Sequence, residues 1–244
     1  MESTGFDKNY LLYNIIDSSK KTSYAASFGV DSISEALVEE YADCLKKFNR
    51  ISVREYSGAK IVKDLTGKVA SIVLDPTFLL TKDEWSELVA KRHIEYEYVL
   101  IYQLAYSEKL IAFAKYLAQK HCLKIVTING NPRQIVRGRY IMTAGPTDWV
   151  GLFLNAKYIV TNSFHGVAFS LNFNKDFYVE LLSDKFGVNT RITNILEIFS
   201  MENRIIRSPI YDMTDNSIDY NAANEKLEQL RDDSYAYLKD ILMS

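Results

Sequence analysis

The sequence predicts a parallel α/β fold. Short β-branched apolar runs recur along the chain, amphipathic helical patterns alternate with them, and capping or turn residues mark the joins. Runs such as residues 98–103 and 158–161 are apolar without alternation, as strands buried on both faces require.

The elements follow in order. Residues 21–27 read as a strand, and Ser32-Ile33-Ser34-Glu35 has the form of a capping box opening the next helix. Leu37, Tyr41, Cys44, Leu45 and Phe48 share one face of that helix. Residues 50–53 return as a strand, a helix follows to about Lys63, and residues 71–74 form another strand that Asp75-Pro76 ends. Thr81-Lys82-Asp83-Glu84 is a second capping box, before the helix carrying Trp85 and Leu88. The polar stretch 91–97 reads as a linker.

A second alternating series begins at Tyr98. Leu110, Phe113, Ala114 and Leu117 keep the i, i+3, i+4, i+7 spacing of a half-buried helix, and residues 124–128 are the strand that answers it. Asn129-Gly130-Asn131-Pro132 is a turn. Trp149, Leu152 and Phe153 form the apolar face of a short helix leading into the strand 158–161. A last helix, from about Ala222 to Leu242, repeats apolar positions at Leu227, Leu230, Leu238 and Ile241.

Composition narrows the function classes. With 244 residues, 48% of them hydrophobic, the chain buries a sizeable core in one large or two small domains. Lys plus Arg of 29 against Asp plus Glu of 31 gives a net charge of −2, which argues against general nucleic-acid binding and makes any anion site local. Cys44 and Cys122 lack metal-ligand spacing and read as reduced thiols of a cytosolic protein. There is no signal-peptide pattern and no apolar run long enough to cross a bilayer. The G-x-S-x-G elbow, the P-loop, H-E-x-x-H and any compelling carboxylate cluster for a metal are missing, an inventory consistent with a metal-independent, anion-binding transferase.

The most informative segment joins a strand to a helix through Asn162-Ser163-Phe164-His165-Gly166. This turn lies at a strand's carboxyl end, where parallel sheets bind ligands, and the new helix offers amides and its positive dipole end to an anion. Gly166 would let that anion approach the backbone. Asn162, Ser163, Phe164 and Gly166 are therefore candidate substrate-binding residues. His165 reads either as a cap or core histidine or as a functional group. Arg54 stands beyond the strand 50–53, and its guanidinium suits either a carboxylate or phosphate ligand or an ion pair with Glu55 or a neighbouring helix. Arg191 falls in the first turn of a predicted helix, where its charge opposes the dipole; it suits an anion, or a pair with Glu197 or Asp184. Ser27 and Gly29 end a strand and either line the same cleft or make a simple turn. Arg133, Arg137 and Arg139 form a basic loop, open to solvent or to a phosphorylated acceptor.

Residues 158–179, with the flanking GPTDWVGLFLNAK and NTRITNILEIF, resemble the signature region of the polysaccharide pyruvyl transferase family. KTSYAASFGVDSI at 21–33, RISVREYSGAKIV at 50–62 and VLDPTFLLTKDEW at 73–85 resemble the family in its order and roughly its spacing. The resemblance implies two Rossmann-like domains of the GT-B glycosyltransferase kind: an amino-terminal domain at 1–92, a donor-binding domain at 93–218, and a helix at 219–244 packing back on the first. The family's usual NYGA-like and GSDQVWN-like segments have no counterpart here, so the first domain is expected to be truncated.

The resemblance also implies a function. Phosphoenolpyruvate is the expected donor substrate, no cofactor or metal is required, and pyruvate moves as a ketal onto a sugar of a surface polysaccharide or its lipid-linked precursor. His165 and Arg54 are the implied catalytic pair, with Arg191, Ser27 and Gly29 beside the substrate. The expected setting is cytoplasmic, with peripheral contact at the inner face of the membrane where the acceptor is lipid-linked. Two rival readings stay open: a nucleotide-sugar glycosyltransferase, and a non-catalytic or incomplete homologue. A truncated sheet edge would favour self-association or a companion chain supplying strands.

Overall fold

The apolar runs become parallel sheets in the computed structural model, which describes residues 7–89, 94–128, 138–182, 189–207 and 217–243. The chain divides into two compact units, residues 1–79 with 226–244, and residues 80–225.

In the second unit, β3 (Tyr98–Tyr102), β4 (Lys124–Ile128), β5 (Arg139–Ile141), β6 (Tyr158–Thr161) and β7 (Asp176–Val179) form one all-parallel sheet in the order β5-β4-β3-β6-β7. The chain builds outward from β3 to β5, then lays β6 on the other side of β3. The strand order therefore reverses between β3 and β6, and a parallel sheet opens a crevice at the carboxyl ends there. Register places Tyr102 opposite Thr161, and Thr161 opposite Val179. Val99, Leu100 and Ile101 are wholly buried, because helices cover both faces of the central strand.

The helices of this unit are α3 (Lys82–Leu88), α4 (Glu108–Lys120), α5 (Pro146–Asn155), α6 (Phe164–Asn172) and α7 (Asn189–Ile198). The Thr81 box is formed, with Glu84 N–H donating to Thr81 Oγ1 and Thr81 N–H to the Glu84 carboxylate. Ser107 caps α4 through Leu110 N–H at 3.2 Å, and the expected face of Leu110, Phe113, Ala114 and Leu117 is buried. Arg139 opens β5, a short strand, and is not part of a loop. Arg133, Arg137 and the turn 129–132 lie outside the described residues, as does part of the linker stretch 91–97.

In the first unit, β1 (Ser52–Val53) and β2 (Ser71–Ile72) pair in parallel. The expected strand 21–27 is reduced to two isolated parallel bridges, Thr22 to Arg50 and Ala26 to Val53. Ala25 takes a left-handed backbone (φ 50°) and its N–H turns to Ser52 Oγ, which breaks the ladder. The Ser32 to Glu35 capping box does not form. A single 3-10 turn, Glu35–Leu37, starts there after Ser34, without a side-chain cap bond, and leads into α1 (Val38–Leu45). The next helix, α2 (Tyr56–Thr66), ends on Gly67, whose φ of 74° suits a glycine terminator. The long α8 (Tyr220–Met243) belongs to this unit from Lys226 onward. Ser234 Oγ accepts from Leu74 N–H at 3.0 Å, Arg231 donates to the Phe78 carbonyl, and the Tyr237 hydroxyl donates to the Ser23 carbonyl. No helix among the described residues is long and apolar enough to cross a membrane.

Candidate functional site

The second unit's switch point is occupied by the turn that the sequence singled out. Thr161 ends β6, and its Oγ1 accepts from Ser163 N–H at 3.1 Å. Ser163 is the N-cap of α6: its Oγ accepts from Gly166 N–H at 3.4 Å and its carbonyl from Val167 N–H at 3.1 Å. The amides of Gly166 and Val167, among those that the helix start was expected to offer an anion, are thus engaged within the turn. Phe164 and His165 occupy the first two positions of the helix, where an amide has no intrahelical acceptor and the dipole is positive.

Gly166 has a local reason of its own. A Cβ there would stand 2.3 Å from Thr161 Oγ1 and 2.8 Å from Thr161 Cβ, so the helix start can seat itself on the strand end only with glycine. Asn162, buried after β6, spends its side-chain amide on the loop after β3. Its Oδ1 accepts from Leu104 N–H and its Nδ2 donates to the Ala105 carbonyl, both at 2.7 Å. This clamps the two lips of the crevice together. Tyr102, at the end of β3, packs edge-on against Trp149 at 5.2 Å, and burial pushes its hydroxyl up, partly offset by a hydrogen bond with Ser163.

Around this turn the structure gathers the other candidates of the unit. His165 is exposed, with its ring edge-on to Phe164 at 5.4 Å. Phe164 is buried, and the Arg191 guanidinium stands over its ring, 5.6 Å from the centroid. Arg191 is in the first turn of α7, as the sequence predicts, and that helix is tied down by Asn189. The Asn189 amide accepts from Leu182 N–H at 2.9 Å and donates to the Leu182 carbonyl at 2.6 Å. Glu180, which the sequence reading passed over, follows β7 and donates its N–H to the Thr161 carbonyl at 2.9 Å. An acidic residue directly after a buried parallel strand was the available signal. A guanidinium, an imidazole and a positive helix end on one lip suit a ligand carrying phosphate or carboxylate. Among the described residues no cluster of His, Cys, Asp and Glu could hold a metal.

The first unit has its own carboxyl edge. Arg54, one-fifth exposed, follows β1 and its Nη1 bonds the carboxylate of Asp75. Its Nε lies 3.9 Å from Glu55 Oε2. Both acids are buried. Burial pushes the Asp75 carboxyl up, but the Thr77 N–H and hydroxyl, at 3.0 and 2.8 Å, and the Arg54 charge outweigh it and leave the group below its ordinary value. The other oxygen of Glu55 accepts from Phe28 N–H at 3.1 Å. Ser27 stands beside this network with its Oγ buried and without a hydrogen-bond partner among the described residues. Gly29 takes φ 69°, so a left-handed turn accounts for its place.

A comparison with curated proteins finds no match. Among solved structures, a co-structure of S. aureus MnaA with UDP is similar at 16% identity and a TM-score of 0.45, covering 77% of this chain. This chain spans about half of that one, 54%. The family model described as polysaccharide pyruvyl transferase matches residues 3–179, more than half of the sequence, and the chain belongs to the polysaccharide pyruvyl transferase family.

Proposed function

We propose that this chain transfers pyruvate from phosphoenolpyruvate to two hydroxyls of a saccharide, as a ketal, with release of phosphate. The supporting observation is the grouping of His165, Arg191 and the start of α6 at the switch point of the second unit. Phosphoenolpyruvate carries a phosphate and a carboxylate on one small carbon frame. The helix start and Arg191 suit one of these anionic groups, and His165 is placed to move a proton at the enol carbon. Ser163 and Asn162 act by holding the turn, and Phe164 by seating Arg191. In the first unit, Arg54, bonded to Asp75, is in this reading a cation for an anionic group. Ser27 and Gly29 would border that group. The acceptor in this reading is a surface polysaccharide or its lipid-linked precursor, met in the cytoplasm at the membrane's inner face.

Calorimetric titration with phosphoenolpyruvate, alongside UDP- and GDP-sugars, tests the reading. Saturable binding of phosphoenolpyruvate with no binding of the nucleotide sugars is expected, and the reverse result overturns it. Arg54→Lys keeps the charge and loses the planar fork, so donor affinity should fall about tenfold in the same titration. Equal affinity would make Arg54 purely structural.

A further inference from the structure

Glu180 poses a physical problem that the fold does not solve. Its N–H pairs with Thr161, and its neighbours are held as well: Ile206 N–H reaches the Val179 carbonyl at 2.8 Å, and Leu182 is locked to Asn189. Its side chain is not held in this way. Oε2 is buried and has no hydrogen-bond partner, and Glu180 forms no ion pair among the described residues. A carboxylate only accepts hydrogen bonds, and a buried acceptor left unmatched lowers stability, so natural proteins seldom keep one without a use for it.

The position supplies the use. Glu180 stands at the carboxyl edge, one strand over from the His165 turn and two residues before the Leu182 anchor of the Arg191 helix. Arg191 and His165 answer the anionic donor, whereas a carboxylate repels it. The natural complement of a carboxylate oxygen left without a partner is an O–H donor, and the other substrate of the proposed reaction carries such groups.

We propose that Glu180 binds the acceptor saccharide, accepting a hydrogen bond from the attacking hydroxyl and taking its proton. The inference rests on the proposed ketal transfer. In the first step the C2=C3 electron pair of phosphoenolpyruvate takes a proton at C3, assigned to His165, and the hydroxyl oxygen forms the C2–O bond. The O–H bond breaks and its proton passes to Glu180. In the second step another hydroxyl forms its bond to C2 as the C2–O bond to phosphate breaks. Of the two hydroxyl protons, one restores His165 and the other leaves with phosphate, so Glu180 is regenerated.

Glu180→Gln tests this, because it preserves shape and removes the base. Phosphate release is measured with phosphoenolpyruvate and methyl glycosides of glucose, galactose, mannose and N-acetylglucosamine, and donor affinity by calorimetry. The variant should bind phosphoenolpyruvate within twofold of wild type and lose turnover by about a hundredfold or more. Glu180→Leu should melt at or above the wild-type temperature, since it removes an unmatched buried oxygen. Wild-type turnover in Glu180→Gln overturns the inference, as does a melting temperature lowered by more than about 4 °C in Glu180→Leu, which would mark a structural group. A wild-type chain that binds phosphoenolpyruvate and releases phosphate while Glu180→Gln does the same leaves the proposed function standing without Glu180. A wild-type chain that binds no phosphoenolpyruvate, or releases phosphate with none of the glycosides, overturns both.

Discussion

The two carboxyl edges of this chain occupy equivalent places in parallel sheets and treat charge in opposite ways. In the first unit Arg54 is set against two buried acids, Asp75, which its Nη1 bonds, and Glu55, whose Oε2 lies 3.9 Å from its Nε. In the second unit the turn is held by neutral side chains, Ser163, Asn162 and Asn189. Arg191 lies over an aromatic face, and Glu180 makes no ion pair among the described residues. Position at a strand's end allows a site. Which groups pair within it decides what charge it offers a ligand.

The largest expected effect follows directly. His165→Ala removes an exposed ring from a turn that is held by Ser163, Asn162 and Gly166, so the fold should survive while transfer fails. Turnover should fall about 10²- to 10⁴-fold, the range of general acid–base catalysis, with the melting curve unchanged. Preserved turnover would break the contrast between the two edges, because the second would then lack its chemical group.

Gly166→Ala sharpens the structural half of the comparison. The new methyl group meets Thr161 Oγ1 at 2.3 Å, so either α6 lifts from β6 or the strand end shifts. A loss of about 1–3 kcal/mol is expected from denaturant melts, as for overpacked cores. Thr161→Ala in the same chain should restore part of it by removing Oγ1 and the methyl group at 2.8 Å. A melt equal to wild type would mean that the turn does not depend on this contact.

Much of this architecture was legible because it is local. YVLIY reads as a buried parallel strand and becomes β3, the Thr81 box forms, and the strand-turn-helix around His165 stands where its pattern places it. The misses have tertiary causes. The strand expected at 21–27 gave way to bridges because Ser52 Oγ competes for the Ala25 amide across 27 residues. β5 escaped notice because three residues on an edge, paired only with β4, carry almost no periodic signal. The place of Arg191 in the first turn of α7 was legible from the helix pattern. The seating of Gly166 on Thr161 and the unmatched oxygen of Glu180 depend on which atoms meet in space, which spacing does not reveal.

The smallest expected effect lies in the matched edge, and its sign is set by acid. The folded Asp75 carboxyl titrates below its ordinary value near 3.9, so its contribution to stability is fully present above about pH 4 to 5 and is lost as pH falls through the folded value. Asp75→Asn keeps an acceptor for the Thr77 donors but loses the charge facing Arg54. The variant should therefore be less stable than wild type by about 1 kcal/mol near pH 7, the scale of one charge-assisted hydrogen bond. Because only wild type has a carboxylate to protonate, the gap should narrow as the pH is lowered from 5 toward 3. Chemical denaturation at several pH values measures it. A gap that is constant with pH would show that Arg54 and Asp75 do not depend on their charges, and the first edge would then no longer differ from the second in the way proposed.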